Sequence, residues 1–299
     1  MENKEKQTLE IFTRTYFHYV TLGNNCTEKT SERLKMAFSI CSIASGSNGN
    51  CYHIKTETTS LLVDAGISAT RIVNGLNRCG TDPDKVNALF ITHEHSDHIS
   101  GLGAIANRIS NLQIFANRGT FSEIKSQIAR ERREVFDTGE EMAVGDIKIQ
   151  SFAVSHDTVD PVGYSFIHEG KMISIVTDTG VFTEEILSAT ADADILAIES
   201  NYDSKMLKNG RYPIFLKQRI MSTEGHLSNE QTGDAINEIM SIEKKPRCIL
   251  LAHLSEENNR PQLAEKTVTE KLMEMDRYLG RDYYLKPLLR DRMSAILEI

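Results

Sequence analysis

The residues Thr92-His-Glu-His-Ser-Asp-His98 follow directly on the apolar run Ala88–Ile91 and constrain this chain more than any other feature. Residues two apart at a strand end point to the same side, so His93 and His95 can grip one ion together. Asp97 and His98 fall on the turn that follows and can reach a second position. Imidazole and carboxylate suit zinc and similar divalent ions. Four such groups are too many for one open catalytic ion and too few for two, so more ligands are expected at other strand ends. Three positions meet that expectation: His156 just past Met142–Ala153, Asp178 after Lys171–Val176, and His253 after Arg247–Leu251. Alone, each has an ordinary reading as a capping carboxylate or a core histidine. Their shared placement beyond apolar strands argues for one edge cleft.

Such a cleft needs a core large enough to fix it. The chain has 299 residues, 40% of them hydrophobic and 25% charged, close to globular averages. From Met36 onward, strand-like runs alternate with helix-like ones. Hairpin signals dominate the first two-thirds, including a tight turn at Glu169-Gly170 between Gly163–His168 and Lys171–Val176. Met142–Ala153 reads as one strand, and helices are expected near Ala69–Arg78, Leu102–Ile109, Thr120–Arg130, Thr183–Leu187, Asn229–Ile239 and Gln262–Tyr278. The pattern predicts an α/β fold with two sheets face to face and helices outside, an αββα four-layer sandwich over residues 36–299. Residues 1–35 are polar with an isolated aromatic patch, and are expected to be either a loosely attached arm or an over-extended start.

The formal charge of -8 excludes a nucleic-acid binder that uses its whole surface, while leaving room for a local basic groove. The five cysteines are odd in number and lack CxxC spacing, which points to reduced thiols and a cytoplasmic setting. No apolar run reaches membrane-spanning length, so no membrane partner is expected.

Taken in order, Asp64 in Leu-Val-Asp-Ala-Gly, the His93–His98 cluster, His156, Asp178 and His253 resemble the five motifs of the metallo-β-lactamase-fold hydrolases. The resemblance runs from about Phe38 to the C-terminus. Ala44–Cys51, Ser155–Asp157 and Ala252–Asn259 look like the YycJ/WalJ branch, regarded as nuclease-like and related to ribonuclease Z-type phosphodiesterases. The resemblance implies that His93, His95 and His156 hold one metal, that Asp97, His98 and His253 hold a second, and that Asp178 bridges them. Asp64 would orient a ligand histidine or close the loop. A hydroxide between the ions would attack the ester, placing Asp97 in the catalytic set. Similar residues in ribonuclease Z-like enzymes form a Glu–His relay that protonates the departing oxygen, a role that falls here to Glu199 and His226. Zinc is the first choice of metal because most of these ligands are imidazoles; manganese is the alternative because Asp97 and Asp178 suit harder ions.

The implied activity is a 5′-to-3′ DNA exonuclease. Its rivals are a hydrolase of a small phosphodiester or other small ester, and a non-catalytic binding module. For phosphate recognition the sequence offers the loop Ser45–Asn50, whose backbone N–H groups could form an anion nest, with Ser47, Asn48 and Asn50 as contacts and Asn258 as a further one. It also offers Ser204–Thr223, which holds Lys205, Lys208, Arg211, Lys217 and Arg219 and no acidic residue. A solvated helix face is the plain alternative for that stripe.

Overall fold

The computed structural model describes residues 18–20, 38–126 and 128–299. One sheet is built from β1 (His18–Val20), β2 (Ser39–Ala44), β3 (Cys51–Lys55), β4 (Ser60–Val63), β5 (Ala88–Phe90), β6 (Gln113–Asn117) and β7 (Arg133–Phe136), with β15 (Ile296–Glu298) from the far end of the chain. Its order is β1-β15-β2-β3-β4-β5-β6-β7. The other sheet takes β8 (Glu141–Val144), β9 (Ile147–Ala153), β10 (Val162–His168), β11 (Lys171–Val176), β12 (Ile195–Glu199), β13 (Arg247–Ala252) and β14 (Tyr283–Pro287), in the order β14-β13-β12-β11-β10-β9-β8.

The central strands are apolar on both sides, which requires cover on both faces. Leu61, Val63, Ala88 and Phe90 meet Ile173, Ile175, Ile195, Ala197, Cys248 and Leu250 in a core between the sheets. The alternate residues Leu62, Leu89 and Ile91 pack outward against α1 (Ala69–Arg78) and α3 (Leu102–Arg108). On the opposite side, Leu196, Ile198, Ile249 and Leu251 pack against α5 (Glu184–Thr190), α8 (Asn229–Ile242) and α9 (Pro261–Met273). This is the expected αββα sandwich. Capping fixes where the helices start: Ser68 accepts from the Arg71 N–H ahead of α1, and Ser228 with Gln231 forms a capping box ahead of α8.

Several local expectations change. Met142–Ala153 is a hairpin, β8 and β9, broken at Gly145, whose φ of 58° favours glycine. The helix expected over Thr120–Arg130 is α4 (Arg118–Glu123), with only a single 3-10 turn at Arg130–Arg132. Hairpins join β2–β3, β3–β4, β8–β9, β9–β10 and β10–β11, while β4 through β7 run parallel within the same stretch, as do β11 through β14. Glu169 and Gly170 both have positive φ, 47° and 77°, as a two-residue primed hairpin turn requires. Most of residues 1–35 lie outside the described residues; His18–Val20 pairs antiparallel with β15.

The strand directions position the site. β4 and β5 are parallel, and so are β11, β12 and β13; β9 runs the same way as β11, because both are antiparallel to β10. Loops leaving the carboxyl ends of each set emerge together. At three of these ends a non-glycine residue takes left-handed backbone: Asp64 (φ 59°), Asp178 (φ 58°) and His253 (φ 53°). That conformation is uncommon for such residues and clusters at functional sites.

Candidate metal centre

β5 delivers the histidine cluster into a short helix, α2 (Ser96–Ile99), which carries Asp97 and His98. The turn is clamped from β4. Asp64 Oδ1 accepts the Thr92 N–H at 2.9 Å, and Oδ2 accepts the Thr92 hydroxyl at 2.9 Å and pairs with His98 Nδ1 at 2.8 Å. A carboxylate on Nδ1 fixes the imidazole with Nε2 pointing inward. From below, Asn50 donates its N–H to the Asp97 carbonyl at 2.8 Å. A Cβ on Gly66 would collide with that same carbonyl, so the turn can seat only on glycine.

The structure brings the predicted ligands together. Ligand atoms of His93, His95 and His156 form one group, those of Asp97, His98 and His253 a second, and those of His93, His98 and Asp178 a third, each lying within 4.8 Å of one another. His156 turns Nδ1 to the carbonyls of Glu224 and Gly225, both at 3.1 Å, and Nε2 toward His95 Nδ1 at 3.2 Å. Asp178 sits between the groups. Its Oδ2 is 3.2 Å from His98 Nε2, and its Oδ1 is 3.7 Å from His156 Nε2 and 3.4 Å from His253 Nδ1. His93 Nε2 and Asp178 Oδ2 are buried without a hydrogen-bond partner among the described residues. Buried polar atoms are normally satisfied, so the orphaned His93 Nε2 in a His/Asp cluster, beside an Asp178 Oδ2 that faces only the His98 ring, fits divalent cations.

Glu199, at the end of β12, is fully buried and has two uses. Oε1 accepts from His226 Nδ1 and from His253 Nδ1, each at 2.8 Å. Oε2 accepts the N–H of Thr179 at 3.1 Å and of Leu227 at 3.2 Å. The sequence pairs Glu199 with His226; its bond to His253 is visible only in the structure. His226 Nδ1 also lies 3.8 Å from Asp178 Oδ1, and its side chain stays partly exposed, so Nε2 is the ring atom left for a substrate.

The charges of the centre are strongly coupled. Burial and the nearby His98 charge hold the His93 imidazole well below its ordinary value, which keeps it neutral. For His253, burial acts downward, but Asp178, Asp97 and Glu199 outweigh it and push it up to about 10. His98 is likewise raised against burial by Asp178, Asp64 and Asp97. Burial acts upward on Asp178, and the charges of His253 and His98 bring it well below the usual carboxylate range. The carboxylates around His98 and His253 thus favour the protonated rings, whose protons a cation must displace. Metal loading is expected to release about two protons per chain near pH 7, and affinity should fall as pH drops. Calorimetry in buffers of different ionisation enthalpy counts them; uptake with no release would contradict this ligand assignment.

The predicted substrate contacts divide. Ser47 and Asn48 are exposed on their loop, where Asn48 Nδ2 donates to Glu256 Oε2 at 2.7 Å. Asn50 is instead buried: Oδ1 accepts the Gly46 N–H at 3.0 Å and Nδ2 lies 3.1 Å from His98 Nε2, so it braces the loop against the centre. Asn258 is also buried, behind Gly210, and accepts the Asp203 N–H through its backbone. Burial turns both of these side chains away from solvent. Sequence reasoning also misses Asp157, whose carboxylate lies 3.6 Å from His156 Nε2 and receives Arg219 Nε. Its place in Ser-His-Asp, next to a ligand, was the available signal. His53 and His168 lie off the centre, bonded to Ser60 Oγ and to the Asp146 carbonyl.

Comparison with known proteins agrees with this geometry. Residues 59–253 match the beta-lactamase superfamily domain. The chain is 36% identical over 270 residues to an exodeoxyribonuclease WalJ of Streptococcus pneumoniae, covering 89% of this chain and 99% of the relative. It is 36% identical over 235 residues to an exodeoxyribonuclease YycJ of Bacillus anthracis, covering 78% and 88%. Among solved structures, the metallo-beta-lactamase fold protein YhfI of Bacillus subtilis superposes with a TM-score of 0.67 at 15% identity, covering 87% of this chain and 99% of that one.

Proposed function

Because the chain belongs to the metallo-β-lactamase superfamily, we propose that it is a metal-dependent nuclease, a 5′-to-3′ DNA exonuclease working with two divalent ions. The observation that carries the reading is Glu199 holding His226 at 2.8 Å beside Asp178. An oriented imidazole at that place is a proton donor, and a departing sugar alkoxide needs one. The names of the two bacterial relatives point the same way.

In this reading His93, His95 and His156 would hold one ion and Asp97, His98 and His253 the other, with the Asp178 carboxylate placed to serve both groups. Zinc suits the five imidazoles; manganese would suit the carboxylates. When bound, the ions lower the pKa of an attacking water and offset charge growing on the phosphodiester oxygens. Asp64 keeps His98 Nε2 turned inward, and Glu199 does the same for His253. His226 gives its proton from Nε2 to the leaving oxygen, while Glu199 accepts its Nδ1–H and stabilises the charged ring. Ser47, Asn48 and the backbone of their loop take the terminal phosphate, which sets exonuclease rather than internal action. Cys41, Cys51, Cys79 and Cys248 are free thiols, which suits a reducing, cytoplasmic setting. No described helix is long and apolar enough to cross a membrane.

The test is a product ladder from DNA and RNA labelled at either end, with 5′-phosphate or 5′-hydroxyl, in added Zn²⁺ or Mn²⁺. Stepwise release from the 5′ end of DNA is expected. Turnover of a chromogenic phosphodiester alone, or cutting only at internal bonds, would overturn the exonuclease assignment.

A further inference from the structure

The chain between β12 and α8 forms α6 (Ser204–Asn209), which buries Leu207, and α7 (Ile214–Ile220). α7 buries none of its residues. At its start, Ile214 and Phe215 are 75% and 72% exposed, the highest values among the large apolar side chains of the described residues. Two adjacent bulky apolar groups held in water on a helix with no core contact mark a contact surface.

The other contacts of this helix show what it serves. Lys217 Nζ donates to the Lys208 carbonyl at 2.8 Å, tying α7 to α6. Arg219 donates to Asp157, next to His156. The Ile220 carbonyl accepts the His226 N–H at 2.9 Å, and the loop that follows supplies the Glu224 and Gly225 carbonyls that hold His156. One end of α7 is therefore tied to residues beside the metal centre and the other carries Phe215, about 7 Å away along the helix at 1.5 Å per residue. Lys205, Lys208, Arg211, Lys217 and Arg219 line this stretch in a chain of net charge -8.

We propose that Phe215, with Ile214 beside it, is a stacking platform for unpaired bases of the DNA strand entering the metal centre. This rests on the nuclease reading above. The cations along α6 and α7 follow the backbone, while an aromatic face accepts any base, as sequence-independent single-strand binding requires. A duplex hides the faces of its bases, so the platform acts on a frayed or unpaired end.

The test pairs Phe215→Ala with removal of the base. Binding is measured by fluorescence anisotropy on phosphorothioate single strands, with normal or abasic nucleotides near the 5′ end. Phe215→Ala is expected to weaken binding to the normal strand about tenfold, as loss of one stacked base does. On the abasic strand it should cost nothing further, and Phe215→Trp should restore affinity. Because Phe215 is exposed, melting temperature should not move. Equal losses on both strands, or no loss on either, would overturn the platform. If wild-type protein degrades DNA normally while Phe215→Ala binds it as well as wild type, the platform fails alone; if that variant also changes the sedimentation mass, the face belongs to a second copy. Wild-type protein that neither binds nor degrades DNA removes the nuclease reading and the platform together.

Discussion

Asp178→Asn is expected to lower DNA hydrolysis by at least about 10³-fold while the fold persists. Asp178 is the carboxylate within 4 Å of His98, His156, His226 and His253 at once. Its loss removes the negative charge on which both proposed cation positions depend. Charge stabilisation by bound ions is worth several kcal/mol of barrier, and each 1.36 kcal/mol is tenfold in rate. Asparagine is the informative replacement because it keeps the shape and tolerates the left-handed backbone that Asp178 adopts. The measurements are kcat/KM on DNA together with metal content and melting temperature. Full rate at full metal content would remove Asp178 from the centre.

His226→Ala should slow DNA cleavage by about 10²- to 10⁴-fold, the usual span for a lost general acid. It should have little effect on a nitrophenyl phosphodiester, whose leaving group departs without a proton. Glu199→Gln should behave differently. Glu199 accepts from both His226 and His253, so its loss disturbs proton donation and a proposed metal ligand together. Both ester classes should slow, with metal affinity falling about 10- to 100-fold as for other residues that orient a ligand. Equal slowing of both esters by His226→Ala would take the donor role away from His226, and an Glu199→Gln effect confined to poor leaving groups would separate Glu199 from His253.

Much of this site is legible in the sequence because each apolar run stops at a ligand-type residue. Val63, Ile91 and Ala252 are buried strand or strand-end positions, and Asp64, Thr92-His93 and His253 follow them directly. The two-sided burial of β4, β5, β12 and β13 gives the same clarity to the layers. Other elements carry weaker signals. β7 is exposed along most of its length, so Arg133–Phe136 lacks the apolar pattern that marks a strand. β14 contains Lys286 and Pro287, and α6 and α7 are too short and too exposed to show a buried stripe. What a linear pattern cannot carry is sharing. Glu199 serving two histidines, Asn50 turned inward and Asp157 joined to Arg219 all depend on distant segments meeting.

Asp64, Asp178 and His253 each hold a backbone shape that glycine would adopt without resistance. The strain is on the order of 1 kcal/mol at each position, set against a typical folding margin of about 5–15 kcal/mol. Glycine at any of the three would relax the main chain and erase the side chain in the same step. Selection for heat resistance alone would thus wear away this edge of the molecule first, and only a demand for turnover keeps it intact.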